Sequence, residues 1–213
     1  RDPEAMRRNN AEGTRRLVEA VLRTGRAVRL IFTSSIAVFG PCRNGAPMDA
    51  RSPLRPITAY GRAKREAERL LERCADAAVV RFPMVVGPGD RATSLFRRFA
   101  RARVFPVTSR RFSAMDMRDA VRLLLHLGRT PGKATGTYTV SDGASYTWRE
   151  VSGTFSAWAG RRVWNVPLPA PLLQPSLFGL AGNADGAFYF RYDWHCRPNF
   201  PAGFEPRHTA FER

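Results

Sequence analysis

At 213 residues and 44% hydrophobic content, the chain can form one globular domain with a substantial core, or a domain and a smaller lobe. Its formal charge of +17 raises nucleic acid as a partner, but of the 35 basic residues only Lys64 and Lys133 are lysine. The arginines are scattered through every segment, which argues for attraction to small anions and against a dedicated nucleic-acid surface. No apolar run reaches the roughly 18 residues of a membrane span, and no amino-terminal signal pattern is present. Cys42, Cys74 and Cys196 lack the paired spacing of a disulfide framework or a zinc site. The expectation is a cytoplasmic protein with free thiols, no membrane partner and no metal.

Residues Pro3 to Thr24 predict a helix, with Met6, Leu17 and Val21 at helical spacing and Gly25 as its stop. Its first half carries Asn9, Asn10 and Gly13, poor helix formers that something other than propensity must place there. The apolar run Val28 to Phe32 predicts a buried strand that ends in Thr33-Ser34-Ser35 and leads into Ile36-Ala37-Val38-Phe39-Gly40. In an open parallel sheet, chemistry gathers at such carboxyl ends. Pro41 to Ile57 reads as a loop rich in Pro, Gly and Arg.

A helix follows from Ala59 to Cys74. Ala63, Ala67, Leu70, Leu71 and Cys74 form its apolar stripe, with Arg62, Arg65, Glu66, Glu68, Arg69 and Glu72 mainly on solvent. Tyr60 and Lys64 stand one turn apart near its start, so the ammonium can favour the ionised phenol and make it a usable base. A second strand, Ala77 to Pro83, runs into Val86-Gly87-Pro88-Gly89-Asp90.

Beyond Asp90, arginines interleave with Phe96, Phe99, Phe105 and Phe112. Ala114 to Leu127 predicts an amphipathic helix, Gly136 to Gly143 a strand and turn, and Ser145 to Glu150 the cap of a helix through Trp158. Gly160 to Pro167 reads as a short strand before a proline-rich segment, and beyond Pro175 the pattern weakens. Gly179, Gly182 and Gly186 have the wrong spacing for a dinucleotide turn and read as loop. His195 and Cys196 lack further ligands at metal spacing and read as structural.

Three stretches in order, FTSSIAVFG, P-x-x-AYGRAK-x-x-AE and VVRFPMVVGPGD, resemble the extended short-chain dehydrogenase/reductase family of NAD-dependent epimerases and dehydratases acting on nucleotide sugars. The resemblance implies an α/β fold: a partial Rossmann-like parallel sheet with a smaller carboxyl-terminal α+β substrate lobe. Residues 1–90 would be the second half of the dinucleotide-binding domain with the catalytic residues. Residues 91–213 would be the substrate lobe, with the strand at 136–142 returning to the sheet. The strand, glycine-rich turn and helix that hold a dinucleotide pyrophosphate are not in this sequence, and the expectation is that they lie upstream.

Carried onto this chain, the resemblance makes Tyr60 the acid/base, Lys64 its electrostatic partner and cofactor-ribose ligand, and Ser35 the hydroxyl that positions the substrate oxygen. Asn10, three residues before Gly13-Thr14, would lie beside the active site. Ser34, Phe82 and Pro83 would join Tyr60 and Lys64 at the cofactor, NAD or NADP. Arg111 would grip substrate with Ser35, because RFSAMDMRDAV resembles the family's R-F-x-x-x-H-V-x-D-x-A stretch, with Asp116 and Met117 in place of His and Val.

The implied activity is proton and hydride transfer at a nucleotide-sugar hydroxyl, epimerase-like. Dehydration is disfavoured, since Ile36 and Ala37 stand where dehydratases carry Asp and Glu. Two alternatives stay open: a hydroxysteroid or small-carbinol dehydrogenase of the same family, and a catalytically silent fragment or binding scaffold. The expected partner is a small-molecule substrate, with a homodimer admitted.

Overall fold

The computed structural model describes residues 3–169 and 184–211. Helix α1 (Pro3–Arg7) passes through one π-helical turn (Arg8–Glu12) into α2 (Gly13–Arg23). The poor helix formers Asn9 and Asn10 fall within that turn. A π-bulge often marks a functional stretch of helix.

Strand β1 (Leu30–Ser35) leads through a single 3-10 turn (Ile36–Val38) and an irregular segment to α3 (Ala59–Leu71) and β2 (Ala77–Phe82). Pro83 cannot donate to a ladder, and after it the chain leaves the sheet as β3 (Met84–Val86). Helix α4 (Arg91–Arg101) and strands β4 (Val104–Val107), β5 (Arg111–Phe112) and β6 (Ala114–Asp116) follow. Helix α5 (Met117–Arg129) precedes β7 (Gly136–Thr139) and β8 (Tyr146–Thr147). The remaining elements are α6 (Trp148–Ala159), β9 (Trp164–Pro167) and α7 (Ala184–Arg191).

The fold is mixed α/β around a parallel sheet of order β1-β2-β7. All six residues of β2 are buried, and their alternation splits them between two helical layers. Ala78, Val80 and Phe82 pack with Met115, Leu123 and Leu127 on the α5 side. Ala77 and Val79 meet Val18 of α2 and Leu71 of α3 on the other. A third, aromatic cluster holds α4, α6 and α7 together: Trp148 stacks on Phe190 with centroids 3.8 Å apart and lies 4.5 Å from Phe112. The 3-10 turn after β1 contributes Ile36, Ala37 and Val38 to the same cluster.

Four expectations change. The helix expected from Ala114 begins at Met117, because Asp116 caps it through the Arg118 amide while Ala114–Asp116 pair in parallel with β3. The helix expected to reach Cys74 ends at Leu71. Gly186, read as loop, lies within α7; Gly179 and Gly182 lie outside the described residues. Glu68, placed mainly on solvent, is buried.

Candidate active site

The site starts from a close approach of two backbones. Thr58 caps α3 by accepting from the Gly61 amide at 2.9 Å. A Cβ on Gly61 would overlap the carbonyl oxygen of Ala37 in the turn after β1, so only glycine lets α3 seat there. Gly40, at φ 77°, closes the other side of that turn against the Arg55 carbonyl. These contacts hold the start of α3, with Tyr60 and Lys64, against the carboxyl end of β1.

Lys64 is 9% exposed and donates from Nζ to the carbonyl oxygen of Thr33 at 2.8 Å. Its ammonium lies 4.7 Å from the centroid of the Phe32 ring and 5.7 Å from that of the half-buried Tyr60. Burial pushes the Lys64 pKa below the ordinary lysine value, while the carboxylate of Glu68 opposes the shift. Tyr60 packs against the aromatic cluster by its ring.

Strand alternation separates the two serines. Ser34 donates to Glu68 Oε1 at 2.6 Å, and Glu68 receives a fork from Arg81, Nε at 3.0 Å and Nη2 at 2.8 Å. Ser34, Glu68 and Arg81 are all buried, so the Ser34 hydroxyl proton is committed to this network. Ser35 instead caps the 3-10 turn, its Oγ accepting from the Ala37 amide at 3.2 Å, which leaves its own O–H to donate. Sequence spacing could have exposed the network, since Glu68 stands one turn from Lys64 and Arg81 interrupts an otherwise apolar strand.

Asn10 sits in the π-helical turn, which packs beside α3 with α1. Its Nδ2 donates to the Met6 carbonyl at 3.0 Å, and its own carbonyl accepts from Thr14 Oγ1 at 2.6 Å. Phe82 is core, packed in the cluster under α5, and Pro83 is buried beside it. Arg111 is exposed; its guanidinium reaches Ser145, Nε to Oγ at 3.1 Å and Nη2 to the carbonyl at 2.9 Å, which ties β5 to the turn before β8.

Two clefts of about 470 and 440 Å³ open in the part of the molecule built on α4, α6 and β4. Tyr60, Lys64, Ser35, Asn10 and Arg111 line neither. Thus Tyr60, Lys64 and Ser35 are brought to one strand end, and Arg111 is not part of either cleft.

A sequence model described as the NAD dependent epimerase/dehydratase family matches residues 1–140. No curated protein matches the chain in sequence. Among solved structures, WbmG of Bordetella bronchiseptica in complex with NAD and UDP is similar at TM-score 0.67 and 20% identity, over 91% of this chain and 72% of that one. dTDP-4-dehydrorhamnose reductase from Bacillus anthracis in complex with NADP is similar at 0.65 and 24%, over 75% of this chain and 56% of that one. The UDP-Glc/GlcNAc 4-epimerase of Campylobacter jejuni is similar at 0.66 and 20%, over 79% of this chain and 60% of that one. The chain therefore spans between half and three quarters of these enzymes, and at such identities the likeness is one of fold. With the family model covering well over half of the sequence, the chain belongs to the NAD dependent epimerase/dehydratase family.

Proposed function

We propose that the protein is an NAD(P)-dependent, epimerase-like oxidoreductase acting at a hydroxyl-bearing carbon of a nucleotide sugar. The observation that carries this reading is the seating of Lys64 against the Thr33 carbonyl, one helical turn from Tyr60, where Ser35 ends β1. The fold neighbours that carry NAD or NADP, and those named for UDP- and dTDP-sugar chemistry, support the same class.

The residues fit the nicotinamide-ribose end of such a cofactor. Lys64 has three N–H donors, of which Thr33 takes one at 2.8 Å, so the others suit a ribose diol. A strand, glycine-rich turn and helix to cradle a pyrophosphate do not occur among the described residues. When bound, a nicotinamide supplies the hydride acceptor. The chain's own part is acid/base work. Ser35 O–H orients the substrate oxygen, Tyr60 takes its proton, and the Lys64 charge stabilises the phenolate that does so. Epimerase-like chemistry is favoured over dehydration because Ile36 and Ala37, both buried and apolar, follow Ser35.

The test mixes the purified protein with NAD or NADP and a panel of UDP- and dTDP-hexoses, following reduced-nicotinamide absorbance and sugar epimerisation. Turnover should appear and fall by about a hundredfold or more in Tyr60→Phe, which removes one hydroxyl and little packing. Turnover equal in Tyr60→Phe and wild type overturns the assignment.

A further inference from the structure

The larger cleft lies between α4 and α6, away from Tyr60 and Lys64, and nothing in the proposed chemistry uses it. Its volume of about 470 Å³ suits a small molecule, and its walls are mainly apolar, with Phe155, Trp158 and Phe211 among them. Trp158 remains 48% exposed, unusual for a large aromatic whose neighbour Phe155 is buried. Among the described residues of the lining, Arg97 is the one cation.

Arg97 is unusual in what it lacks. Its Nε is buried with no hydrogen-bond partner, and the guanidinium makes no ion pair among the described residues. What it does touch is Trp158, with Cζ 5.1 Å from the ring centroid. Arg101, one turn further along α4, places a second guanidinium 5.8 Å from the same ring, also without an ion pair among the described residues. A guanidinium without an acidic partner on the wall of an apolar cleft is costly to hold there, and an anion in the cleft that accepts from its outer N–H donors offsets that cost. The acidic groups nearby are already engaged. Asp116, on the cleft wall, is held by Arg118 at 2.8 and 3.0 Å, and Asp90 accepts from the amides of Gly87 and Thr93, both at 2.9 Å. Neither offers Arg97 a partner, and both charges are partly satisfied.

We infer that this cleft is a binding site for a flat aromatic anion, whose ring lies against Trp158 and whose carboxylate or phosphate accepts from Arg97. The inference is independent of the hydride chemistry assigned to Tyr60. Arg97 supplies the planar fork that matches a carboxylate or phosphate oxygen pair, and Arg101 adds positive potential at the mouth. Thr93 and Thr154 place hydroxyls on the wall for further polar contact.

The experiment uses the whole 213-residue chain and follows the indole N–H resonance of Trp158, assigned by its disappearance in Trp158→Phe. Naphthyl phosphate and naphthoate are the probes, with inorganic phosphate and neutral naphthol as controls. At least one naphthyl anion should move the Trp158 resonance at concentrations about tenfold or more below those of either control, and the better of the two tells whether phosphate or carboxylate is preferred. Arg97→Gln should weaken that probe by about tenfold or more, with Arg101→Gln losing less. Should Arg97→Gln perturb folding, Arg97→Lys retains the charge, lacks the planar fork and carries the same expectation of weaker binding. Unchanged affinity in the Arg97 variants, equal binding of naphthol, or a Trp158 resonance that no probe moves would overturn the assignment.

Discussion

Lys64 Nζ donates to the carbonyl oxygen of Thr33 at 2.8 Å, joining the helix that carries Tyr60 to the strand that carries Ser35. Burial lowers the pKa of that ammonium, although Glu68 one turn away resists the shift. The sign is definite: a lowered pKa means that the charge is lost at a lower pH than in an exposed lysine. In the proposed reaction the charge supports the Tyr60 phenolate. Turnover should therefore fall on a high-pH limb lying below the ordinary lysine value of about 10.4. A pH–rate profile measures this limb, and Lys64→Arg, whose charge persists to higher pH, should carry it upward.

Glu68 and Arg81 make the second testable relationship. Their side chains are 4% and 8% exposed, and the fork between them also fixes the Ser34 hydroxyl. Removing one member of a buried pair strands the other charge. Glu68→Ala should cost about 3 to 5 kcal/mol in urea unfolding, whereas replacing both by apolar residues of similar size should be much milder. If the double variant were as unstable as the single one, the cost would lie in packing and not in the stranded guanidinium.

The contrast between these pairs shows what the sequence could express. Tyr60 and Lys64 are legible because helical spacing alone puts them on one face, and the apolar run before Ser34 and Ser35 marks a strand end. The same spacing also links Lys64 to Glu68, but a charge on a helix rich in charges reads as solvated until its partner is known. That partner, Arg81, comes from a neighbouring strand 13 residues away. Arg111 shows a different limit: the motif match concerns sequence, whereas the reach of its guanidinium to Ser145 depends on the pairing of β5 with β8. Short strands such as β3 and β6 carry too few residues for period-two alternation, and they exist because they pair with each other.

Asp119, at the start of α5, ties down the carboxyl-terminal segment. It is fully buried and accepts from the amides of Arg207 and His208, both at 2.7 Å, and from the Arg122 guanidinium. Burial by itself raises its pKa, but these donors outweigh burial and hold the carboxyl below its ordinary range. A lowered folded-state pKa gives stability that is complete above the unfolded value and disappears as pH falls through the folded one. Unfolding free energy should decline below about pH 4. Asp119→Asn should lower stability at neutral pH by about 1 to 3 kcal/mol and flatten the decline. An acid-unfolding curve of unchanged shape in Asp119→Asn would assign the pH dependence elsewhere.

Gly61 gives the sharpest link between packing and chemistry, because a single methyl group there tests the seating of the whole site. An added Cβ would overlap the Ala37 carbonyl oxygen and press on Pro56, so α3 must back away from the turn that follows Ser35. Overpacking of this kind costs about 1 to 3 kcal/mol. Alanine is also the better helix former by about 1 kcal/mol, which offsets part of that cost. Gly61→Ala should therefore fold, with a modest net loss in thermal unfolding. Its effect on turnover should be larger than its effect on stability, since the displacement falls directly on Tyr60 and on the bond from Lys64 to Thr33. A shift of about 1 Å at a reacting group can cost on the order of a hundredfold in rate. Steady-state kinetics beside a melting curve separate the two effects, and full activity in a folded Gly61→Ala variant would show that the backbone contact does not position the catalytic pair.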